Sequence, residues 1–165
     1  MEYTVRRAEG RDAERIAELH VITWKETYTD LLPEGFLGDE HVQMRRTMWR
    51  RILDDDRDEW TVRVVEDSSG STIGFAMAGP ALGDEEAPLP RERQLYTLYV
   101  MAAHHGRGAG QSLLDAVLGA EPAMLWVAAQ NPRAMAFYRR NGFAPDGAEQ
   151  IDPGAPAITD VRMLR

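Results

Sequence analysis

Residues 95–114 read Leu95-Tyr96-Thr97-Leu98-Tyr99-Val100-Met101-Ala102-Ala103-His104-His105-Gly106-Arg107-Gly108-Ala109-Gly110-Gln111-Ser112-Leu113-Leu114. The pattern is a β-strand, a glycine-rich bend and the first turn of a helix. Gly106, Gly108 and Gly110 alternate where the strand pattern gives way to the helical one. Lacking Cβ atoms, such positions let backbone amides turn toward a ligand and approach it closely. The helix behind them adds unpaired N–H groups and a partial positive charge, which favour a phosphate. The stretch therefore predicts a pyrophosphate-bearing cofactor.

The spacing narrows the choice. A P-loop ends in Gly-Lys-Ser/Thr, whereas Gly110-Gln111-Ser112 lacks the lysine that reaches the terminal phosphates. A dinucleotide fingerprint is Gly-x-Gly-x-x-Gly in the first strand–helix–strand unit. Here the order is Gly-x-Gly-x-Gly, in the second half of the chain. A second block lies downstream, Met124-Leu125-Trp126-Val127 and then Asn131-Pro132-Arg133-Ala134-Met135-Ala136-Phe137-Tyr138-Arg139-Arg140-Asn141-Gly142-Phe143. Leu125–Val127 reads as a short buried strand. Asn131 is a good N-cap, Pro132 a good first helical residue, and Gly142 a helix-ending residue. Arg139 and Arg140 suit the dipole of the last turn.

The two blocks together resemble the GNAT-family N-acetyltransferases. That family ends a strand in Tyr/Phe-Val, follows it with Arg/Gln-x-x-Gly-x-Gly/Ala opening a helix, and carries Asn-x-x-Ala-x-x-Phe-Tyr-x-x-x-Gly-Phe further on. Leu98-Tyr99-Val100 and Gly108-Ala109-Gly110 match the first block, and Asn131, Ala134, Phe137, Tyr138, Gly142 and Phe143 match the second. His105 stands where the family has Arg or Gln. The likeness is strong over residues 93–145 and weak over the rest. It implies one α/β domain over residues 1–165: a central mixed, mostly antiparallel sheet of about seven strands, splayed between the fourth and fifth, flanked by about four helices. It also implies acetyl-CoA as cofactor, held by Leu98, Tyr99, Val100, His105, Gly106, Arg107, Gly108, Ala109, Gly110, Gln111, Asn131, Phe137 and Tyr138, and a homodimer is common among such proteins.

Composition agrees with a globular chain. At 165 residues there is room for a substantial core. Without cysteine there is no disulfide, thiolate zinc site or thiol nucleophile. No apolar run reaches the roughly 20 residues of a membrane span, and the N-terminus is too polar for a signal peptide, so a cytoplasmic protein is expected. The net charge of −8, from 27 acidic and 19 basic residues, shows no basic patch for nucleic acid. Acidic clusters at 54–59 and 84–86 read as solvated loops, or, for the second, as a field that draws in a cationic amine.

Along the chain no repeat or low-complexity linker appears. Residues 2–7 alternate as a first strand, and Asp12 to about Thr27 reads as a helix with Ile16, Ala17, His20, Val21 and Trp24 on one face. Pro33 is expected to start a short helical piece, and a further helix runs from Glu40 to Leu53. Trp60–Glu66 and Thr72–Ala81 form strands around the turn Asp67–Gly70, and Phe143–Glu149 and Ala157–Leu164 close the sheet.

Acetyl transfer to an amine needs a polarised thioester carbonyl, a neutral amine and a proton for the departing thiolate. A backbone N–H near Val100 is the candidate for the first. The resemblance assigns the last to Tyr138, whose phenol, with a pKa of about 10 against about 8.5 for a thiol, is protonated at neutral pH. An alkylamine with a pKa of about 10.4 is neutral in roughly one molecule in a thousand at neutral pH. Family members often carry glutamate at the position of Gln94, which cannot take a proton, so Glu92, Glu26, His20 or water held by Tyr96 remain as bases. Trp24, Tyr28, Phe36, Gln94 and Tyr96, with Leu31 and Leu32, are candidates for the acceptor pocket. No histidine set completes a metal site, and Ser112 lacks a nucleophile elbow. Two functions follow: an N-acetyltransferase acting on a primary amine of a small molecule or peptide, or an inactive CoA-binding regulatory or assembly module, which Gln94 and His105 keep open.

Overall fold

The computed structural model describes residues 2–56, 58–83 and 86–165. Arg57, Asp84 and Glu85, members of the two acidic clusters, lie outside the described residues, and Glu86 is exposed. Seven strands form one sheet in the order β1-β2-β3-β4-β5-β7-β6. They are β1 (Thr4–Arg7), β2 (Thr61–Glu66), β3 (Thr72–Pro80), β4 (Arg93–Val100), β5 (Met124–Ala128), β6 (Ala144–Ile151) and β7 (Thr159–Leu164). All neighbours are antiparallel except β4 and β5. Among the described residues four α-helices flank the sheet: α1 (Ala13–Tyr28), α2 (Asp39–Leu53), α3 (Ala109–Val117) and α4 (Pro132–Arg140). This is the mixed α/β architecture expected from the sequence.

Alternation along the strands puts apolar side chains on both faces, and each face takes its own helices. On one, Ile16, Ala17 and Leu19 of α1 and Trp49 of α2 pack against Val62, Val64, Phe75 and Met77. On the other, Leu113, Leu114 and Val117 of α3 meet Val65, Ile73, Leu95, Leu125 and Met163, with Tyr138 and Phe143 closing the layer. The first strand is anchored by Arg6, whose guanidinium holds both oxygens of Asp12, at 2.8 and 2.9 Å, and reaches Glu66 at 2.8 Å.

Two local readings needed correction. Pro33 opens no helix: Phe36 N–H returns to Pro33 O and Gly38 N–H to Gly35 O, a pair of successive turns. Gly35, at φ +76°, breaks the helical sense between them. The helical extension falls earlier, as a 3-10 turn at Thr29–Leu31 continuing α1. Likewise β4 does not lead straight into the glycine bend, because a 3-10 turn at Ala102–His104 intervenes.

His20 is a core residue. It is 5 % exposed, between Trp24, Trp49, Phe75 and Tyr99. Arg45 Nη1 lies 2.7 Å from its Nε2 and 3.1 Å from its Nδ1, and Trp49 Nε1 is 3.4 Å from Nδ1. Both neighbours only donate, so the imidazole must offer a lone pair and stay neutral. Burial, reinforced by the Arg45 charge, pushes its pKa from 6.5 down to about 3. The folded state refuses a proton that the unfolded chain takes, so stability is present above 6.5 and is lost as pH falls. Urea unfolding between about pH 7 and about pH 5 should show wild type losing about 2 kcal/mol more than His20→Gln. Equal losses would show that His20 does not refuse the proton.

Candidate active site

The site begins with a defect in strand pairing. β3 and β4 are in register at Met77↔Thr97, and then at Ala78↔Leu95. Tyr96 is the extra residue, a β-bulge, which locally strengthens twist. One position earlier the β4–β5 pairing ends: it consists of Gln94↔Met124 and Leu95↔Leu125. Beyond it β5 stays paired with β7, through Trp126↔Arg162 to Ala128↔Asp160, while β4 stays with β3. The sheet splays.

The phase of the ladder decides which backbone groups the splay exposes. Met101 N–H bonds Ile73 O at 3.0 Å, so Tyr99 and Thr97 direct their N–H and C=O to β3. Leu98 and Val100 face the opposite way, toward the gap. His105 fixes one of these groups, its Nε2 lying 2.7 Å from Val100 O. Since that oxygen only accepts, Nε2 carries the hydrogen, and His105 ties the glycine bend to the strand end. Burial pushes the imidazole below the ordinary histidine range, against the pull of the Val100 carbonyl.

Past His105 the chain turns through Gly106 and Gly108, at φ +70° and +96°, and enters α3. A Cβ at either glycine would project into open space, although the left-handed backbone would be strained there. Gly108 is the N-cap, and the Ala109, Gly110 and Gln111 amides precede the first intrahelical bond, Ser112 N–H to Gly108 O. The bend and helix end thus present outward-facing donors, and Arg133, Arg140 and His104 join them along one cleft of about 570 Å³. These features fit a pyrophosphate-bearing group.

The cleft runs from the glycine bend along the open edge of β4 to the ends of α1, β6 and β7. Leu98, Tyr99, Val100, His105, Gly106, Gly108, Gly110, Gln111, Asn131, Phe137 and Tyr138 line it, as do Trp24, Tyr28 and Tyr96. Asn131 caps α4 through Ala134 N–H at 3.1 Å and donates to the Tyr28 hydroxyl at 3.2 Å, locking α4 to the end of α1. Tyr138 is 8 % exposed, and burial first, then the nearby Tyr99 and Tyr28, hold its phenol above the ordinary tyrosine range.

Six of the expected contacts lie off the cleft wall. Gln94 is buried with its Oε1 accepting Leu82 N–H at 3.0 Å, so it closes the β3–β4 loop. Phe36 stacks between Trp24 and His41. Ala109 is wholly buried in the core beneath α3, and Arg107 points from the bend as an exposed side chain. Leu31 and Leu32 pack beside Tyr28. The proposed bases disperse as well: His20 lies in the core, Glu26 Oε2 accepts Ala102 N–H at 2.9 Å, and Glu92 is exposed off the cleft. Tyr96 lines the cleft while its hydroxyl donates to Pro80 O.

The sequence reading missed two carboxylates that line the cleft, Asp152 after β6 and Asp160 on β7. Burial and then the neighbouring Asp152 raise the Asp160 carboxyl above its usual range. A lone Asp inside a terminal strand was the only signal available, and it carries no spacing pattern.

Comparison with known proteins accords with this geometry. Residues 23–143 match the acetyltransferase (GNAT) family. The uncharacterized N-acetyltransferase YuaI of Bacillus subtilis is 31% identical over 144 residues, covering 82% of this chain and 77% of that protein. The chain belongs to the GNAT acetyltransferase family, in which acetyl-CoA-dependent acetyl transfer is general. Its fold is shared by the PaiA N-acetyltransferase of Thermoplasma acidophilum, crystallised with coenzyme A, at TM-score 0.73 and 18% identity over 100% of this chain and 99% of that one. It is shared also by a histone acetyltransferase HPA2-related protein of Corynebacterium glutamicum, at TM-score 0.70 and 23% identity, covering 99% and 96%.

Gly110 separates shape from fold. A Cβ there meets Leu98 and Phe137 at an ordinary 3.8 Å. Gly110→Ala should therefore keep both stability and coenzyme A affinity, whereas Gly110→Leu should keep the thermal midpoint and lose at least about tenfold in affinity by calorimetry, about 1.4 kcal/mol. Normal affinity in Gly110→Leu would remove the glycine bend from the cofactor site.

Proposed function

We propose that residues 1–165 form one catalytic domain, an N-acetyltransferase that moves an acetyl group from acetyl-CoA to a primary amine of a small molecule or peptide by direct transfer. The observation that carries this reading is the meeting, in one cleft, of the unpaired β4 edge and the buried Tyr138 hydroxyl. The glycine bend, the first amides of α3, Arg133 and Arg140 are placed to hold the diphosphate. The peptide groups of Leu98 and Val100 offer strand-like hydrogen bonds to an amide-bearing arm. When bound, acetyl-CoA supplies the activated acetyl thioester.

The chain's own contribution is then positioning and proton transfer. The Val100 N–H, whose carbonyl is already tied to His105, is available to stabilise negative charge on a carbonyl oxygen. The Tyr138 hydroxyl gives its proton to the departing sulfur, and the resulting phenolate takes back the proton shed by the acylated nitrogen. The raised pKa keeps Tyr138 protonated throughout the neutral range. The amine is drawn from the neutral fraction of the substrate. No described residue needs to be consumed, consistent with direct transfer.

Gln94 and His105, the two departures from the family pattern, have structural roles that leave the cleft open. Tyr138→Phe should lower kcat by about 10- to 1000-fold with cofactor affinity nearly unchanged, read by release of free CoA with a panel of primary amines. An unchanged rate would remove Tyr138 from the mechanism. Tight acetyl-CoA binding with no turnover of any amine would instead identify an inactive CoA-binding module.

A further inference from the structure

Asn131 engages both polar atoms of its amide within the chain. Its Oδ1 accepts Ala134 N–H at 3.1 Å, and its Nδ2 donates to the Tyr28 hydroxyl at 3.2 Å. The second bond has a direction. An amide N–H only donates, so Tyr28 receives it on an oxygen lone pair and turns its own hydrogen elsewhere. Among the described residues nothing accepts that hydrogen. Tyr28 is nevertheless only 8 % exposed, lines the cleft, and has Trp24 packed edge to face on its ring at 5.1 Å. A buried donor without an acceptor is costly, and its partner is to be sought in the cleft.

Tyr138 is the matching acceptor. It sits in the last turn of α4, and helical side chains lean toward the N-terminus of their helix. The phenol is thereby carried back along α4 toward Asn131 and Tyr28. It lines the same cleft, and burial, then Tyr99, then Tyr28 bear on its ionisation. Burial also holds the Tyr28 phenol above its ordinary range, so at neutral pH Tyr28 offers a hydrogen and not a charge. Tyr99 packs its ring against His20 and Phe75. Of these two neighbours, Tyr28 is the one hydrogen-bonded to the cap of the helix that carries Tyr138.

Transfer of the Tyr138 proton to sulfur leaves a phenolate on a side chain more than nine-tenths buried. Such an anion needs a donor beside it. We propose that Tyr28 is a positioning residue for the proton donor: oriented by Asn131, its hydroxyl donates to the Tyr138 oxygen as Tyr138 gives its proton to the departing sulfur. Three hydrogen bonds then run one way, from Asn131 to Tyr28, from Tyr28 to Tyr138 and from Tyr138 to sulfur, each polarising the next. The middle bond closes when sulfur is in place, as catalytic hydrogen bonds tighten around a bound reactant. The C–S bond breaks as C–N forms, the Tyr138 O–H bond is exchanged for S–H, and Tyr28 keeps its proton. This inference rests on the acetyltransferase reading and adds a residue to it.

Coenzyme A itself reports the chain, because its bound thiolate accepts the same hydrogen bond from Tyr138. The protein has no cysteine, so thiolate absorbance in the ultraviolet, followed below the pH at which tyrosines ionise, belongs to CoA alone. In the CoA-saturated protein, Tyr28→Phe should move the thiolate midpoint up by about 0.5 pH or more, with CoA affinity and thermal midpoint held. In a Tyr138→Phe background the same change should add nothing, since Tyr28 acts through that oxygen. Should Tyr28→Phe fail to fold, Asn131→Ser carries the test: it keeps a capping oxygen, removes the donor to Tyr28, and should shift the midpoint the same way. An unmoved midpoint, an equal further shift in the Tyr138→Phe background, or a shift from Tyr99→Phe in place of Tyr28→Phe would overturn the inference and leave the acetyltransferase reading standing. Failure of the wild type to bind coenzyme A would remove that reading and the inference with it.

Discussion

The structure turns on a failure of two parallel strands to stay paired. β4 and β5 share two register positions, and the bulge at Tyr96 twists β4 away immediately afterwards. Each strand keeps its antiparallel neighbour on the other side, so neither half of the sheet loses its own ladder. What is exposed is a short length of strand edge whose hydrogen-bonding groups point into a cleft. Unpaired edges usually invite aggregation. This one is walled by α1, α3 and α4, which leave a slot that suits an extended, amide-rich arm better than another strand.

Charges of both signs meet along that slot. Helix-terminal amides, Arg133 and Arg140, the carboxylates of Asp152 and Asp160, the buried phenols of Tyr28 and Tyr138 and the half-buried phenol of Tyr99 all line it. Burial holds each phenol in its protonated form, the state required of a proton donor to sulfur. His105 ties the halves together mechanically, joining the glycine bend to the Val100 peptide group at the end of β4. A side chain unlike the family's usual Arg or Gln thus still braces the loop, through a carbonyl.

Much of this was legible in the sequence because it depends on local chemistry. Alternating glycines, an Asn-Pro helix start and a Gly-Phe helix end are demands of backbone geometry, and the structure meets them at Gly106, Gly108, Asn131 and Gly142. The rest depends on which distant groups happen to meet. Gln94 faced either the cleft or the β3–β4 loop, and Leu82 N–H, across a turn, decided it. His20 had helical spacing compatible with a pocket, but Arg45 on another helix made it a core acceptor. Asp152 and Asp160 reach the cleft only because the β6–β7 hairpin pairs beside β5. Tyr96 as a bulge could not be read at all, since register is a property of two strands.

Amide hydrogen exchange at β4 tests the central claim most directly. Leu98 and Val100 N–H face the gap, while Thr97 and Tyr99 N–H are already bonded to β3. Saturating acetyl-CoA should slow exchange at Leu98 and Val100 by at least about tenfold, a shift of about 1.4 kcal/mol, and leave Thr97 and Tyr99 nearly unchanged. Equal rates at Leu98 and Val100 with and without bound acetyl-CoA would contradict the account, because the open strand edge would then have no part in holding the cofactor.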